Sequence, residues 1–389
     1  KRHNADERDA TDITHLTSSS AHRWGAKFQT DFLASYLHGK AEQDGFASDN
    51  SNDYSRNDQF ILQQKTNYEL DESQSLSLRH GFNRHQRKNE GLVSGSEHFN
   101  GNLIQQELIH RKEVGPHGFL TGISTEKESA VMENLDRSFD LHSAFFQTAF
   151  ERDLFRLHAG LRADKHTKYG SFHTGSAGIG YGEFSFQYSR GYKAPSLYQL
   201  YGPDSFGAPV GNPELEPETN HYLEASWKKE TDSFEAGVAL FQNRLSNLFT
   251  YSFTEGYINQ QRFIAEGVEL NGTLKLIEFH LFGSYVLQNF RKEESTVLRR
   301  PENAAQFGVS YFPKETLELN LMGRWFSSRK DVGDIKLNSY EVVDAGIRHS
   351  WEKDDVSVQV KNILDREYEE LYGFSVLPRS VFLNYGHRF

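Results

Sequence analysis

The residues best suited to hold a ligand lie between Tyr188 and Asn220, which read Y-S-R-G-Y-K-A-P-S-L-Y-Q-L-Y-G-P-D-S-F-G-A-P-V-G-N-P-E-L-E-P-E-T-N. Tyr192, Tyr198, Tyr201 and Phe206 offer flat rings, three of them with a polar tip, that grip a bulky molecule at low entropic cost. Lys193 and Asp204 add a charge of each sign. Pro195, Pro203, Pro209, Pro213 and Pro217 remove ladder donors, so the stretch cannot be sheet interior. These six residues, Tyr192, Lys193, Tyr198, Tyr201, Asp204 and Phe206, are assigned to ligand capture. The alternative reading is an ordinary surface loop.

Other clusters carry less chemistry. Asp6, Asp9 and Asp12, and separately Asp44, Asp49, Asp53 and Asp58, are hard oxygen donors. Calcium takes about six to eight such oxygens, but neither cluster has the D-x-[DN]-x-[DN]-G spacing of an EF-hand, and both also read as solvated acidic loops. The histidines are scattered from His3 to His387. His80 and His85 fall on opposite faces of a strand, and no other pair is better spaced for a transition metal. Cysteine is absent, which excludes disulfides, Cys-ligated zinc and thiol catalysis. A net charge of −11 with no basic face argues against nucleic acid as a partner. No G-x-S-x-G elbow, H-E-x-x-H or P-loop occurs, so no enzyme is expected. Gly178, Gly180 and Gly182 have no following helix for a dinucleotide site and read as relief for sheet curvature. The chain requires no cofactor, with calcium as the one candidate ion.

What must position the loop is legible in the periodicity. Phe155, Leu157, Ala159, Leu161 and Ala163 alternate with Arg156, His158, Gly160, Arg162 and Asp164. Leu317, Leu319, Leu321, Gly323 and Trp325 alternate with Glu318, Asn320, Met322, Arg324 and Phe326, and Val356, Val358 and Val360 with Ser357, Gln359 and Lys361. Period two means strands apolar on one face only. No run of about 18 apolar residues exists, so no helix spans a membrane, but a barrel strand needs only about 10 residues with one apolar face. Hydrophobic residues make up 37% of the chain and aromatics 13%, the balance expected of a polar-lined barrel. Arg156, His158, Arg162 and Asp164 then line the lumen, as a substrate path or as supports for a plug.

Connections alternate in length. Tight turns fall at Asp71–Ser73, Gly115–Gly118, Glu151–Asp153, Gly182–Glu183, Lys229–Asp232 and Pro313–Glu315. Longer polar loops are expected near Lys88–His98, Glu126–Asp136, Arg190–Glu218, Lys292–Arg300, Ser327–Leu337 and Asp365–Pro378. Short turns at one rim and long loops at the other describe an all-β, antiparallel, up-and-down transmembrane barrel. About nineteen strands are visible. Residues 1–20 read as an acidic extracellular loop and 21–389 as the barrel, with weak strands near Ala21–Phe28 and Phe32–Glu42 and a polar loop over Asp44–Asp58. Val381, Leu383, Tyr385 and Phe389 share a face of the last strand.

Two motifs in this order carry a resemblance. Y-K-A-P-S-L-Y-Q-L-Y-G followed by N-P-E-L-E-P-E, and the closing K-N-I-L-D-R-E-Y-E-E-L-Y-G-F…P-R-S-V-F-L-N-Y-G-H-R-F, resemble TonB-dependent outer-membrane transporters. That family implies about twenty-two strands around a globular plug. About nine strands follow the tyrosine motif as in the family, so the plug and roughly three strands are missing from the front. The resemblance implies uptake of a scarce, bulky nutrient across the outer membrane of a Gram-negative bacterium, with cobalamin ahead of ferric siderophores and then haem. Haem transporters carry a His between the two loop motifs, and none lies between Pro195 and Asn212. The implied partners are outer-membrane lipid, a small metal chelate, the TonB energy-coupling complex acting through a plug that this chain lacks, and the barrel-assembly machinery. That machinery reads a terminal aromatic strand, here Tyr385 and Phe389. Cobalamin transporters order acidic loops with calcium, and Asp6, Asp9 and Asp12 lie where that loop would be. A passive outer-membrane pore and a surface receptor for protein or phage partners stand as alternatives.

Overall fold

A computed structural model describes residues 11–45, 48–91, 95–132, 135–204, 208–252, 254–292, 297–374 and 376–388. Strands β1 (Thr11–Arg23), β2 (Phe28–Gly45), β3 (Ser48–Asp71), β4 (Gln74–Gly91), β5 (Gly95–Val114), β6 (His117–Met132), β7 (Leu135–Arg152), β8 (Phe155–His166), β9 (Gly170–Tyr181) and β10 (Phe184–Lys193) precede the short helix α1 (Leu197–Tyr201). After it come β11 (Glu218–Glu230), β12 (Phe234–Ser252), β13 (Gly256–Lys275), β14 (Phe279–Lys292), β15 (Asn303–Lys314), β16 (Leu317–Phe326), β17 (Arg329–Lys330), β18 (Lys336–Leu337), β19 (Tyr340–Trp351), β20 (Asp354–Lys361) and β21 (Ser380–His387). Nineteen strands share one sheet, and β17 and β18 form a separate ribbon. Leaving that ribbon aside, β11–β16 and β19–β21 make nine strands after the tyrosine motif, as the sequence implied. Among the described residues no helix is long and apolar enough to cross a membrane.

Contacts divide the chain into two compact groups, one of residues 1–179, 189–220 and 246–261, the other of residues 180–188, 221–245 and 262–389. In the first group each strand from β1 to β8 pairs antiparallel with the next. The polar–apolar alternation on β8 is realised as expected, with Leu161 70% exposed on one face and Asp164 buried on the other. The outward apolar run on β8 ends at Ala163, whose row continues through Ala144, Ile123, Leu108 and Leu78 to Thr66 on β3. On β3, however, apolar side chains reappear past Thr66 and Gln64 at Leu62 and Phe60, six residues beyond Thr66 over five strand steps. The apolar band therefore crosses the strands obliquely, the stagger that accompanies tilted barrel strands.

Several expected loops are strand instead. β1 starts at Thr11, so residues 11–20 and with them Asp12 belong to the sheet, and the turn after β1 falls within the segment read as strand Ala21–Phe28. Asp44–Asp58 lies within β2 and β3 apart from residues 46–47, which lie outside the described residues. Asp58 is no free loop carboxylate: His38 Nδ1 lies 2.7 Å away, and Tyr36 and the Arg56 guanidinium donate to it at 2.8 Å. Lys88–His98 and Glu126–Asp136 are likewise strand except at residues 92–94 and 133–134, outside the described residues. Beyond the apolar band both faces meet water, so alternation is lost while the backbone ladder continues.

Gly178 has a different task from the curvature expected of it. A Cβ there would lie 2.0 Å from the His158 ring, so the glycine makes room for that side chain. Gly182, at φ +56°, closes the turn between β9 and β10.

In the second group β13 to β16, β19, β20 and β21 pair in succession. Leu319, Ile347, Val358 and Leu383 form one outward row, with Leu383 72% exposed. On the opposite face Asp344 meets Arg324 at 3.0 Å and Lys361 at 3.5 Å. The expected last strand is present as β21, but Phe389 lies outside the described residues. Leu321, Trp325 and Leu383, side chains that would fill a soluble core, are exposed on this outward face.

Three loops of this group meet at Asp331. Its carboxylate accepts the N–H of Val332 at 2.7 Å, the N–H of Tyr372 at 2.7 Å and the Arg299 guanidinium at 2.6 Å. Burial alone would push this carboxyl up, but the Tyr372 and Val332 amides and Arg299 outweigh it and hold it below the usual carboxylate range. A lowered folded value gives stability that is complete above the unfolded value of about 4 and is lost as pH falls through the folded one. The protection factor of the Tyr372 amide against hydrogen exchange should be high at neutral pH and fall once the pH drops below the usual carboxylate range. In Asp331→Asn it should be low at both pH values; equal protection of the variant at neutral pH would remove Asp331 as the tie.

The tyrosine-rich loop as a candidate ligand site

The loop after β10 is built before it is useful. Pro195, buried and without an N–H, ends the strand. Ser196 then caps α1: its hydroxyl accepts the Gln199 N–H at 3.2 Å, and its own N–H donates to Gln199 Oε1 at 2.9 Å. This reciprocal pair satisfies two orphan donors in a helix of five residues. Leu197 and Leu200 are 0% exposed and pack with Ala130 and Met132 of β6, Phe139 of β7 and Leu215. Glu128 Oε1 lies 3.4 Å from the Leu197 N–H, joining the start of α1 to β6. The chain leaves α1 through Gly202, whose N–H donates to Tyr198 O at 2.7 Å, and returns through Gly211, whose N–H donates to Gly202 O at 3.1 Å.

A Cβ on Gly211 would lie 2.6 Å from the Gly202 nitrogen and 2.8 Å from Tyr201 Cα, all backbone that cannot swing aside. Gly211→Ala should cost the loop about 1–3 kcal/mol through forced displacement. Faster proteolysis between Gly202 and Asn212 with unchanged strands is the expected result, and a wild-type cleavage rate would contradict it.

The N-P-E-L-E-P-E motif is a staple. Asn212 Nδ2 donates to Tyr257 O at 2.9 Å, and its Oδ1 accepts the Glu214 N–H at 3.0 Å. Asn259 accepts the Glu216 N–H at 2.8 Å and donates to Glu216 O and Asn247 O at 2.9 and 2.8 Å. Glu218 Oε1 accepts the Phe249 N–H at 2.5 Å. These groups hold the loop to the tip between β12 and β13.

The six candidate residues divide on this scaffold. Tyr192 stacks on Phe172 at 4.0 Å between ring centres, and the Lys193 ammonium sits 5.6 Å over the Phe249 ring. Tyr198 meets Phe99 edge-on at 5.8 Å under the Arg87 guanidinium at 4.9 Å. Tyr201 lies 6.5 Å from Phe139, with the Lys168 ammonium 5.5 Å over its ring. Lys193 and Asp204 are exposed, Tyr192, Tyr198 and Tyr201 are half-buried, and Phe206 lies outside the described residues.

Sequence reading missed Phe99, Arg87, Lys168 and Tyr169. Lys168 Nζ donates to Pro213 O at 2.5 Å and the Tyr169 hydroxyl to Leu215 O at 2.9 Å, so the short turn after β8 supports the far end of the loop. Burial, and then the neighbouring Tyr201, push the Tyr169 phenol well above its usual range, keeping it a donor.

Beneath the loop a cavity of about 430 Å³ is lined by Glu126, Glu128, Arg162, His166, Arg190 and Tyr192, among others. Arg162 and Asp164 pair at 2.8 Å, and Arg162 also donates to the Ser143 hydroxyl at 2.6 Å. The four lumen candidates share one face of β8, but only Arg162 and Asp164 reach this cavity, while Arg156 and His158 lie further down the strand. Of the calcium candidates, Asp6 and Asp9 lie outside the described residues and Asp12 is exposed on β1. Among the described residues no three His, Asp or Glu side chains converge to hold a metal ion. Tyr385 is exposed and donates to Asp354 at 2.7 Å.

A family model described as TonB dependent receptor-like, beta-barrel, matches residues 2–363. The chain is 27% identical over 291 residues to the vitamin B12 transporter BtuB of Vibrio cholerae, covering 70% of this chain and 46% of the relative. It is 21% identical over 300 residues to that of Vibrio vulnificus, covering 72% and 48%. The chain thus spans about half the length of the curated relatives it matches. Among solved structures, the copper transporter OprC superposes with a TM-score of 0.83 at 12% identity, covering 97% of this chain and 72% of that one. A ferric enterobactin receptor mutant from Pseudomonas aeruginosa gives 0.81 at 15%, covering 97% and 70%. At these identities the likeness shows the fold.

Proposed function

The chain belongs to the TonB-dependent receptor-like β-barrel family, and from that premise we propose that it forms wall and ligand-capture loop of an outer-membrane importer for a scarce, bulky nutrient. Cobalamin stands ahead of ferric siderophores, a ranking supported by the vitamin B12 transporters among the curated relatives. The carrying observation is the loop itself: a capped, densely hydrogen-bonded element that holds Tyr198 and Tyr201 in place, with Tyr192 lining the polar cavity at its base. Rings held in place lose little entropy on binding. The outward band of Leu and Phe belongs in lipid, and the Arg- and Asp-bearing face in water. Energy coupling in such an importer runs through a plug and the TonB complex, which are properties of the whole protein.

Titration of the purified protein with cyanocobalamin and with a ferric catecholate tests this. Tyr198→Ala and Tyr201→Ala should each weaken the bound ligand about tenfold or more, the usual effect of removing an aromatic anchor. Unchanged affinity in both variants would move capture elsewhere, and binding of neither ligand by wild type would overturn the importer reading.

A further inference from the structure

One row of directly paired residues crosses five strands on the outward face: Leu78, Leu108, Ile123, Ala144 and Ala163. Three large side chains give way to two methyl groups. The wall therefore dips between Ile123, Phe146 and Leu161, which stand 59%, 41% and 70% exposed. The dip belongs to a cavity of about 620 Å³ that extends to Ser171 and His173 on β9.

The next row on the same face reads His80, Gln106, Thr125, His142 and Lys165. The depression thus sits where the outward surface changes from apolar to polar. Lys165 is exposed and has no ion pair among the described residues. Glu107 and Asp164 also border the cavity, but they belong to the inward face and are taken by Arg79 at 3.1 Å and Arg162 at 2.8 Å. The next carboxylate along β7 on the outward face, Asp140, has Lys127 directly opposite. The local field over the dip is therefore that of a lysine.

We propose that this groove is a specific lipid site, in which one acyl chain lies over Ala144 and Ala163 and the headgroup phosphate meets the Lys165 ammonium. A long lysine side chain keeps its charge at the interface while its stem covers apolar surface. An anionic headgroup complements that charge, whereas a zwitterionic one brings its own cation. The proposal rests on the membrane reading given above.

Native mass spectrometry of the purified protein in dodecyl maltoside, with phosphatidylglycerol or phosphatidylcholine added, tests it. Wild type should retain phosphatidylglycerol about fivefold better, the contribution of one lysine near an anionic surface. Lys165→Glu should abolish that preference. Ala163→Phe, which fills the groove and stays compatible with lipid, should reduce retention of both. Equal retention of the two lipids by wild type, or undiminished retention by Ala163→Phe, overturns the site. Displacement of phosphatidylglycerol by inorganic phosphate would assign the contact to phosphate alone and also overturn it. Failure of the membrane reading looks different: the protein would stay dispersed without detergent.

Discussion

Leu161→Arg should lower the stability of the protein in phospholipid vesicles by about 1–3 kcal/mol, the cost of a cationic side chain on the lipid face between the bilayer midplane and the interface. Leu161 is the most exposed apolar residue of β8 and lies inside the outward band that ends at Ala163. In a water-soluble protein a residue 70% exposed would tolerate arginine within about 0.5 kcal/mol. The two environments thus predict opposite results for one substitution. Gln147→Arg is the control, because Gln147 is paired with Gly160 on the inward face. It should cost less than about 1 kcal/mol, since lumen positions meet water. Equilibrium unfolding in denaturant with refolding into vesicles measures both. If Leu161→Arg behaves like Gln147→Arg, the outward band does not face lipid.

Leu200→Asp is expected to release the tyrosine-rich loop while leaving the strands intact. Leu200 is fully buried in the cluster formed by α1, β6, β7 and Leu215. Removing its side chain alone would cost about 2–5 kcal/mol, and a carboxylate in its place, inside an apolar cluster, adds a desolvation penalty. The loop avoids both by undocking. Proteolysis within Pro195–Pro217 should accelerate by about a hundredfold or more, as a loss near 3 kcal/mol implies. Leu200→Met keeps the volume and should shift the rate only slightly. A protected loop in Leu200→Asp would mean that the staple at Asn212 and Asn259, not the apolar cluster, holds it down.

The strands were legible wherever one face is apolar, as on β8, β16 and β20, because alternation is the imprint of a wall between lipid and water. It failed where water bathes both faces. The hairpin tips around Lys88–His98 and Glu126–Asp136 carry no alternation, yet their ladders persist, so they read as loops. Within the candidate site, prolines and glycines marked the loop correctly. The five-residue helix escaped notice, although Ser196 and Gln199 stand at capping-box spacing. Phe99, Lys168 and Tyr169 were invisible because register across several strands, not sequence proximity, brings them to Tyr198 and Tyr201. The inward pair Arg162 and Asp164 was legible as a face but not as a bond.

The length of β3 makes part of the wall self-supporting. Its 24 residues extend for about 80 Å at the usual rise, whereas an outer-membrane apolar band is about 25 Å tall. More than half of that strand therefore stands in water, braced on both sides by β2 and β4. From Tyr54 to Tyr68 it pairs with β2 on one side and β4 on the other, and a ribbon so paired bends far less than an open loop. Such upright staves keep their shape outside the lipid, where a loop of the same length would be free to fold over.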